Sequence, residues 1–149
     1  MKLSAVTVKV TSLIENIDTE GSVPADFERA ETITEGRFFV YDDGRALVSY
    51  SEEGEGGSVT TEISVMGSSV TVSRKGAIES EMRFEEGRAH SSVYSIPPYR
   101  FDAEIFCDSL TAELYPERAR IELAYKMKIG GAERRARMKI WILPNSSQA

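Results

Sequence analysis

The chain has 149 residues, 41% of them hydrophobic, and a formal net charge of -6, as expected for one globular domain with its own core. Its single cysteine, Cys107, excludes an intramolecular disulfide, and its single histidine, His90, leaves no recognisable set of zinc ligands. The acidic balance argues against nucleic acid as the main partner, and no segment approaches the roughly 20 apolar residues that span a bilayer. We therefore expect a soluble, cytoplasmic protein without a metal or cofactor.

Alternation of apolar and polar residues dominates the chain and predicts antiparallel strands with one buried face. Four strands are predicted in the first third, at residues 3–14, 26–34, 37–41 and 45–50. Between the last two stands Asp42-Asp43-Gly44, where Asp-Gly supplies the positive φ that a tight hairpin needs. Residues 52–57 are acidic and rich in glycine, which predicts a mobile loop.

The same alternation continues through the rest of the chain. Seven more strands are predicted, at residues 58–65, 69–74, 77–84, 88–96, 100–110, 121–129 and 136–142. Pro97 and Pro98 end one of them because proline cannot donate to a ladder, and Gly87 and Gly130-Gly131 mark turns. No window of ten or more residues favours a helix.

About ten strands joined by short turns predict an all-β fold. The candidates are a single up-and-down antiparallel barrel of about eight to ten strands and a two-sheet sandwich. We favour the barrel because closure removes the exposed edges that invite aggregation. The sequence predicts one domain over residues 1–144, followed by a polar tail at residues 145–149.

Several short motifs, taken in order, resemble the YwiB-like bacterial family, a group of unknown function. These motifs are Arg74-Lys75-Gly76-Ala77, Arg83-Phe84, Gly87, Tyr94 and Arg120-Ile121-Glu122-Leu123-Ala124-Tyr125, together with the N-terminal strand at residues 6–15. The resemblance implies a calycin-like, lipocalin-type β-barrel in a small bacterial, cytoplasmic protein, and it implies no activity. One departure is Arg100, which stands where a glycine commonly follows the aromatic residue.

Arg74 is the polar residue for which the sequence most clearly suggests a function. Because side chains alternate between the two faces of a strand, Arg74 is predicted to lie on the apolar, inward face. Tyr125 is inward by the same count, and Tyr94 and His90 share one face of their strand. An arginine with tyrosines inside a barrel suits the carboxylate or phosphate head group of a small amphipathic ligand. The alternative is that Arg74 lies at the rim and pairs with a glutamate, while the tyrosines fill the core.

Charge is distributed unevenly along the chain. Residues 1–116 carry ten Lys/Arg against twenty-one Asp/Glu, a net of -11, whereas residues 117–149 carry eight against three, a net of +5. Alternation places these residues of the last hairpin on its outer face: Lys126, Lys128, Arg135, Arg137, Lys139 and Trp141. Basic side chains beside an aromatic predict a surface for an acidic protein or nucleic acid, or a self-association contact. The alternative is cross-strand ion pairing with Asp102, Glu104 and Asp108.

No arrangement of residues predicts catalysis. Cys107 is in phase with apolar neighbours, as a small buried hydrophobe would be, and the sequence contains no phosphate loop and no Ser-His-Asp order. The leading hypothesis is a non-catalytic binding module for a small amphipathic or anionic ligand inside the barrel, with Arg74 and Tyr125 as head-group contacts. Its rival is an interaction module that uses the basic outer face, and a third hypothesis is an enzyme whose carboxylates the sequence does not single out.

Overall fold

The computed structural model describes residues 2–17, 26–54, 56–96, 98–129 and 132–145, with the backbone alone described at residues 2, 16–17 and 26–28. The elements in these ranges are strands: β1 (Lys2–Ile17), β2 (Asp26–Val40), β3 (Ala46–Gly54), β4 (Gly57–Met66), β5 (Ser69–Gly76), β6 (Glu79–Glu85), β7 (Ala89–Ile96), β8 (Tyr99–Leu114), β9 (Ala119–Ile129) and β10 (Ala132–Pro144). Each strand pairs antiparallel with its neighbours in sequence, and β1 also pairs with β10. The predicted up-and-down barrel is confirmed, with ten strands; its calycin-type character stays a prediction. No helix in the described ranges is long and apolar enough to cross a membrane.

Strand β2 is one continuous element where the sequence predicts two strands separated at Glu35-Gly36. Gly36 lies inside the ladder, paired with β1 on one side and β3 on the other. A Cβ at this position would lie 2.7 Å from the Ser49 carbonyl oxygen and 2.9 Å from Val8 Cγ2. The glycine therefore permits a close approach between neighbouring strands. The predicted break between two strands is wrong, because a glycine can permit close packing of strands inside a sheet as well as form a turn.

Residues 52–57, predicted as a mobile loop, form the end of a hairpin in the described part of the chain. Strand β3 continues to Gly54, β4 begins at Gly57, and these two glycines are paired. The Ser58 hydroxyl donates to Glu53 Oε1 at 2.6 Å across this end. The loop prediction is therefore wrong: the ladder extends almost to the tip and keeps Glu52 in the same phase as the buried Tyr50.

Two of the predicted glycine turns are confirmed. Gly44 has a φ of +90°, and the flanking Tyr41 N–H donates to the Arg45 carbonyl at 2.8 Å. Gly87 has a φ of +78°, in the left-handed region that favours glycine. The third predicted turn, Gly130-Gly131, lies outside the described residues, as do residues 146–149 of the predicted tail.

The interior is packed at one end of the barrel and more open at the other. The largest fully buried side chains are Phe38, Phe84, Ile63, Ile105, Ile121, Ile140 and Ile142. Along β1 the inward residues Val6 and Val8 are fully buried, whereas Val10 and Ser12, further along the same face, are half-buried. The barrel is thus filled by side chains where β1 begins, and its open end lies where β1 ends.

A seam separates β6 from β7. Their ladder consists of two pairs, Glu79 with Ser95 and Ser80 with Tyr94. Beyond these pairs, the Ser92 hydroxyl donates to the carbonyl of Glu81 at 2.6 Å. A surface groove of about 810 Å³ follows the seam. The wall of the barrel is therefore least regular beside the strand that carries Tyr94 and His90.

We expect Gly76→Ala to destabilise the barrel. Gly76 has a φ of +119°, and a Cβ there would lie 2.2 Å from the Ser58 carbonyl oxygen. Backbone strain and the clash should together lower the free energy of unfolding by about 2–4 kcal/mol in a urea titration. Gly67→Ala is the matched control, because Gly67 has a φ of +59° with no atom within 4 Å of a Cβ, and it should cost about 1 kcal/mol. Equal losses would contradict the close approach at Gly76.

The Cys107 thiol should be protected from alkylation in the folded protein. Burial raises its pKa to about 11, and the charges of Glu86 and Asp108 act in the same direction. Because the thiolate is the reactive form, iodoacetamide at about pH 8 should modify the folded protein roughly 100-fold more slowly than the urea-unfolded chain. Mass spectrometry of timed samples measures both rates, and similar rates would argue against a buried, neutral thiol.

Candidate functional site

A row of inward-facing residues crosses five neighbouring strands at the open end of the barrel. The strand register pairs each member with the next, in the order Tyr50, Thr61, Arg74, Ser80 and Tyr94. Directly paired residues on one face of a sheet have Cβ atoms about 4.5–5.5 Å apart. One guanidinium, two phenols and two aliphatic hydroxyls therefore line one side of the interior. We call these five residues the Arg74 row.

Arg74 is half-buried and lacks an acidic partner in the part of the chain that the structure describes. Among the residues whose side chains the structure describes, no carboxylate oxygen lies within 4.0 Å of its guanidinium nitrogens. Removing a cation from water without a partner is costly, so this guanidinium must be hydrated or must meet an anion. The rim ion pair that the sequence left open as an alternative is not found among the described residues.

Two buried tyrosines lie within the electrostatic reach of Arg74. Burial raises the pKa of Tyr50, while the Arg74 charge and the Thr61 hydroxyl lower it and the Glu52 charge raises it. Burial likewise raises the pKa of Tyr125, against the Arg74 charge, and Tyr94 adds to the rise. Since both pKa values lie above the ordinary value of 10.0, both phenols stay protonated at neutral pH and remain available as hydrogen-bond donors.

Ser80 carries a second polar group without a partner. Its side chain is 6% exposed, and its Oγ has no hydrogen-bond partner among the described residues. Buried hydroxyls are nearly always hydrogen-bonded, to protein or to water, so an unsatisfied one calls for an additional partner. Because Ser80 is paired directly with Arg74, this partner would lie beside the unpaired guanidinium.

A pocket of about 320 Å³ occupies the open end of the barrel and has Arg74 in its wall. Its polar wall includes Tyr50, Thr61 and Glu52, and its apolar wall includes Val10, Val59, Ile78 and Met138. The volume lies at the lower end of the range, about 300–1,000 Å³, that is typical of small-molecule sites. The site can thus offer one cation, several hydroxyls and an apolar surface to a compact ligand.

The structure brings three of the four predicted interior residues together. Arg74 lines the pocket, Tyr94 ends the Arg74 row, and Tyr125 lies deeper, 4% exposed, with its ring centroid 4.9 Å from that of Phe84. His90 is separate, because it lies at the β6–β7 seam with Nε2 3.1 Å from Glu85 Oε1. It contributes to the groove along that seam and not to the pocket.

Sequence reasoning missed Tyr50, Thr61 and Ser80, which complete the Arg74 row. Alternation alone puts each of them in phase with buried apolar residues of its own strand. It does not say which residues of different strands stand side by side, because that depends on register. The sequence does contain one signal. In successive hairpins, a polar residue takes a position whose alternation phase is that of the buried residues of its strand.

The basic side chains expected on the outer face of β9 and β10 do lie there. Alternation with buried neighbours turns these residues outward: Lys126, Lys128, Arg135, Arg137 and Lys139. Lys126 Nζ lies 3.6 Å from Asp108 Oδ1, and Lys128 stands opposite Glu104 in the register. Of the cross-strand ion pairs predicted as the alternative, the described residues therefore form one, Lys126 with Asp108, and none within 4.0 Å at Lys128.

Arg135 and Arg137 of β10 differ from these lysines. Arg135 lies directly opposite Lys126, and neither Arg135 nor Arg137 has a carboxylate within 4.0 Å among the described residues. Trp141 is half-buried, with Lys9 Nζ 5.3 Å from the centre of its ring. The tryptophan is thus partly covered by a cation from β1. The two arginines are exposed and form no ion pair with a described carboxylate, although Glu15 of β1 stands opposite Arg135 in the register.

Comparisons with known proteins agree with this architecture. The uncharacterised β-barrel protein YwiB of Bacillus subtilis (strain 168) is 29% identical over 125 residues, which cover 84% of this chain and 82% of YwiB. The crystal structure of the ywiB protein from Bacillus subtilis matches with a TM-score of 0.84 at 27% identity, over 98% of this chain and 95% of that one. Residues 9–140 match the family described as a domain of unknown function, DUF1934. Sequence and fold together show that the chain belongs to the DUF1934 family.

Proposed function

We propose that the protein is a non-catalytic binding module that holds a small anionic or amphipathic ligand in the open end of its barrel. The observation that carries this proposal is the half-buried Arg74 in the pocket wall, without a carboxylate partner among the described residues. A guanidinium binds carboxylate or phosphate oxygens through two parallel hydrogen bonds. An anion at this position would neutralise the charge that the barrel wall leaves unpaired.

The other members of the row support the same role. The Tyr50 phenol and the Thr61 hydroxyl line the pocket with Arg74 and can donate to further ligand oxygens, while Ser80 is paired with Arg74 in the register but lies outside the pocket lining. Val10, Val59 and Met138 offer an apolar surface for the remainder of the ligand. Tyr125, predicted from the sequence as a second head-group contact, is not part of the pocket lining and packs in the core against Phe84.

Replacing Arg74 should weaken the binding of small anions. The probes are hexanoate, hexyl phosphate and 2-aminohexanoate, titrated calorimetrically into the wild type and into Arg74→Gln, which removes the charge and keeps an amide donor. Loss of one charge-assisted contact of about 1.5–3 kcal/mol should raise Kd by about tenfold to a hundredfold.

Arg83→Gln is the matched control, because Arg83 lies on the outer face of β6 with Nε 3.1 Å from Glu85 Oε1. This variant should bind the probes as the wild type does, and urea titrations should show that both variants are folded. Equal affinity in Arg74→Gln and the wild type, or no binding of any of the probes to the wild type, would contradict the proposal.

We also propose a second candidate function, a docking surface for a polyanionic partner on the outer face of β10. It is supported by Arg135 and Arg137, which are exposed and form no ion pair with a described carboxylate. Arg135 stands opposite Lys126 on β9, and on its other side it stands opposite Glu15 of β1 at more than 4.0 Å. Like charges directly opposite on a sheet are destabilising, and a bound polyanion would relieve that repulsion. An acidic protein segment and single-stranded nucleic acid are both of this class.

Reversing the two arginine charges should abolish such binding. Fluorescence anisotropy with a labelled oligoglutamate and a labelled single-stranded RNA should show affinity that falls as salt rises, and Arg135→Glu with Arg137→Glu should lose about tenfold or more. Arg83→Glu with Arg88→Glu makes the same charge change elsewhere on the surface and should have a much smaller effect. Equal losses in the two double variants would show a response to net charge alone and would contradict a specific surface.

A further inference from the structure

Glu52 brings a negative charge to the pocket that contains Arg74. It lies two residues beyond Tyr50 on β3, in the inward phase, and the register places it opposite Val59. Both Glu52 and Arg74 line the pocket, yet their charged groups are more than 4.0 Å apart, because no ion pair joins them. Glu53 also lines the pocket, but its Oε1 already accepts a hydrogen bond from the Ser58 hydroxyl at 2.6 Å. Glu52 and Arg74 are therefore two opposite charges that face one cavity without neutralising each other directly.

Tyr50 lies between these two charges. The charge of Arg74 lowers the pKa of its phenol and the charge of Glu52 raises it, so both charged groups are close enough to act on one buried hydroxyl. The register agrees, because Tyr50 is two residues from Glu52 on one strand and is separated from Arg74 by Thr61 across the next. The cationic and anionic ends of the pocket are thus neighbours on a single wall.

A ligand that uses both ends must carry an anion and a cation close together. A carboxylate would be held by the Arg74 guanidinium, and the Tyr50 and Thr61 hydroxyls line the same pocket. An ammonium group has three donors and no acceptor, which suits the carboxylate of Glu52. The remaining wall, formed by Val10, Val59, Ile78 and Met138, would take an aliphatic chain.

The size of the pocket selects among such molecules. A volume of about 320 Å³ suits a compact ligand, since drug-sized ligands occupy sites of up to about 1,000 Å³. A long acyl chain would also need an extended apolar tunnel, whereas the opposite end of this barrel is filled by Phe38, Phe84 and Ile142. The two charges, the apolar lining and the volume of the pocket therefore all favour a small molecule with one short apolar chain.

We propose that the pocket binds a small zwitterion of the α-amino-acid type with an aliphatic side chain, its carboxylate on Arg74 and its ammonium on Glu52. This inference rests on the proposed function of the pocket and adds the second charge and the chain length of the ligand. It makes Glu52 the residue that selects the zwitterion over a simple carboxylate.

Three probes with the same six-carbon chain test the assignment: 2-aminohexanoate in its L form, hexanoate and hexylamine. Isothermal titration calorimetry of the wild type should show the amino acid binding at least about tenfold more tightly than hexanoate, because one additional charge-assisted contact is worth that much. Hexylamine should bind most weakly, since it leaves Arg74 without an anion. Hexanoate binding as tightly as the amino acid would overturn the zwitterion assignment and leave the proposed function standing.

Variants then test which residue is responsible for the preference for the amino acid over hexanoate. Glu52→Gln should bring the affinity for the amino acid down to that for hexanoate, within about twofold, and Arg74→Gln should weaken the binding of both. Glu62→Gln is the control, since Glu62 is exposed on the outer face of β4, and it should leave the preference unchanged. An unchanged preference in Glu52→Gln, with the variant shown to be folded by urea titration, would overturn the role of Glu52. If the wild type binds hexyl phosphate but neither the amino acid nor hexanoate, this inference fails and the anion proposal stands. If it binds none of the three, both fail.

Discussion

Pairing of the first strand with the last is the constraint on which the rest of the structure depends. The β1–β10 ladder runs from Val6 opposite Pro144 to Ile17 opposite Glu133, and it turns a ten-strand meander into a closed barrel. Closure removes the sheet edges and gives every strand one face toward a common interior. Each inward residue must then pack, find a hydrogen-bond partner or line a space, because no other surface is open to it.

The interior meets this requirement differently at its two ends. Where β1 begins, large apolar side chains such as Phe38 and Phe84 fill the cross-section and bury Tyr125 against Phe84. Where β1 ends, the inward positions carry smaller or polar residues, such as Ser12 and Thr61, and a pocket is left. The position of the pocket thus follows from side-chain volume along the strands, and Arg74 stands in its wall.

Much of the fold could be predicted from the sequence because the side-chain period of a strand is two and depends on local residues only. The inward phase of Arg74 and the turn at Asp42-Asp43-Gly44 are of this kind. Gly36 was misread as a break because a glycine that forms a turn and one that permits a close strand approach look the same in sequence. The hairpin at residues 52–57 was misread because composition predicts local disorder, whereas cross-strand pairing is decided by the neighbouring strands.

The site was only partly predictable, for a related physical reason. Alternation assigns a face to each residue, but the neighbours of Arg74 are set by how far each strand is shifted against the next. Thr61 and Ser80 are paired with Arg74 by the registers of two hairpins, which the sequence alone does not specify. His90 shows the converse: it was grouped with Tyr94 through a shared strand, yet it lies at the seam beside Glu85.

The spacing of strands also explains how Glu52 and Arg74 can share a pocket and remain apart. They lie on β3 and β5, with β4 between them, and neighbouring strands are about 4.7–4.9 Å apart, so their backbones are separated by about 9.5 Å across the sheet. Glu52 is also displaced by two residues along its strand relative to Tyr50, which adds about 6.6 Å in the perpendicular direction. At this backbone separation of about 11–12 Å, the two charged groups meet only if both long side chains extend toward each other. In this structure they do not, so both charges line the pocket unpaired with each other and can contact a third molecule that carries an anion and a cation.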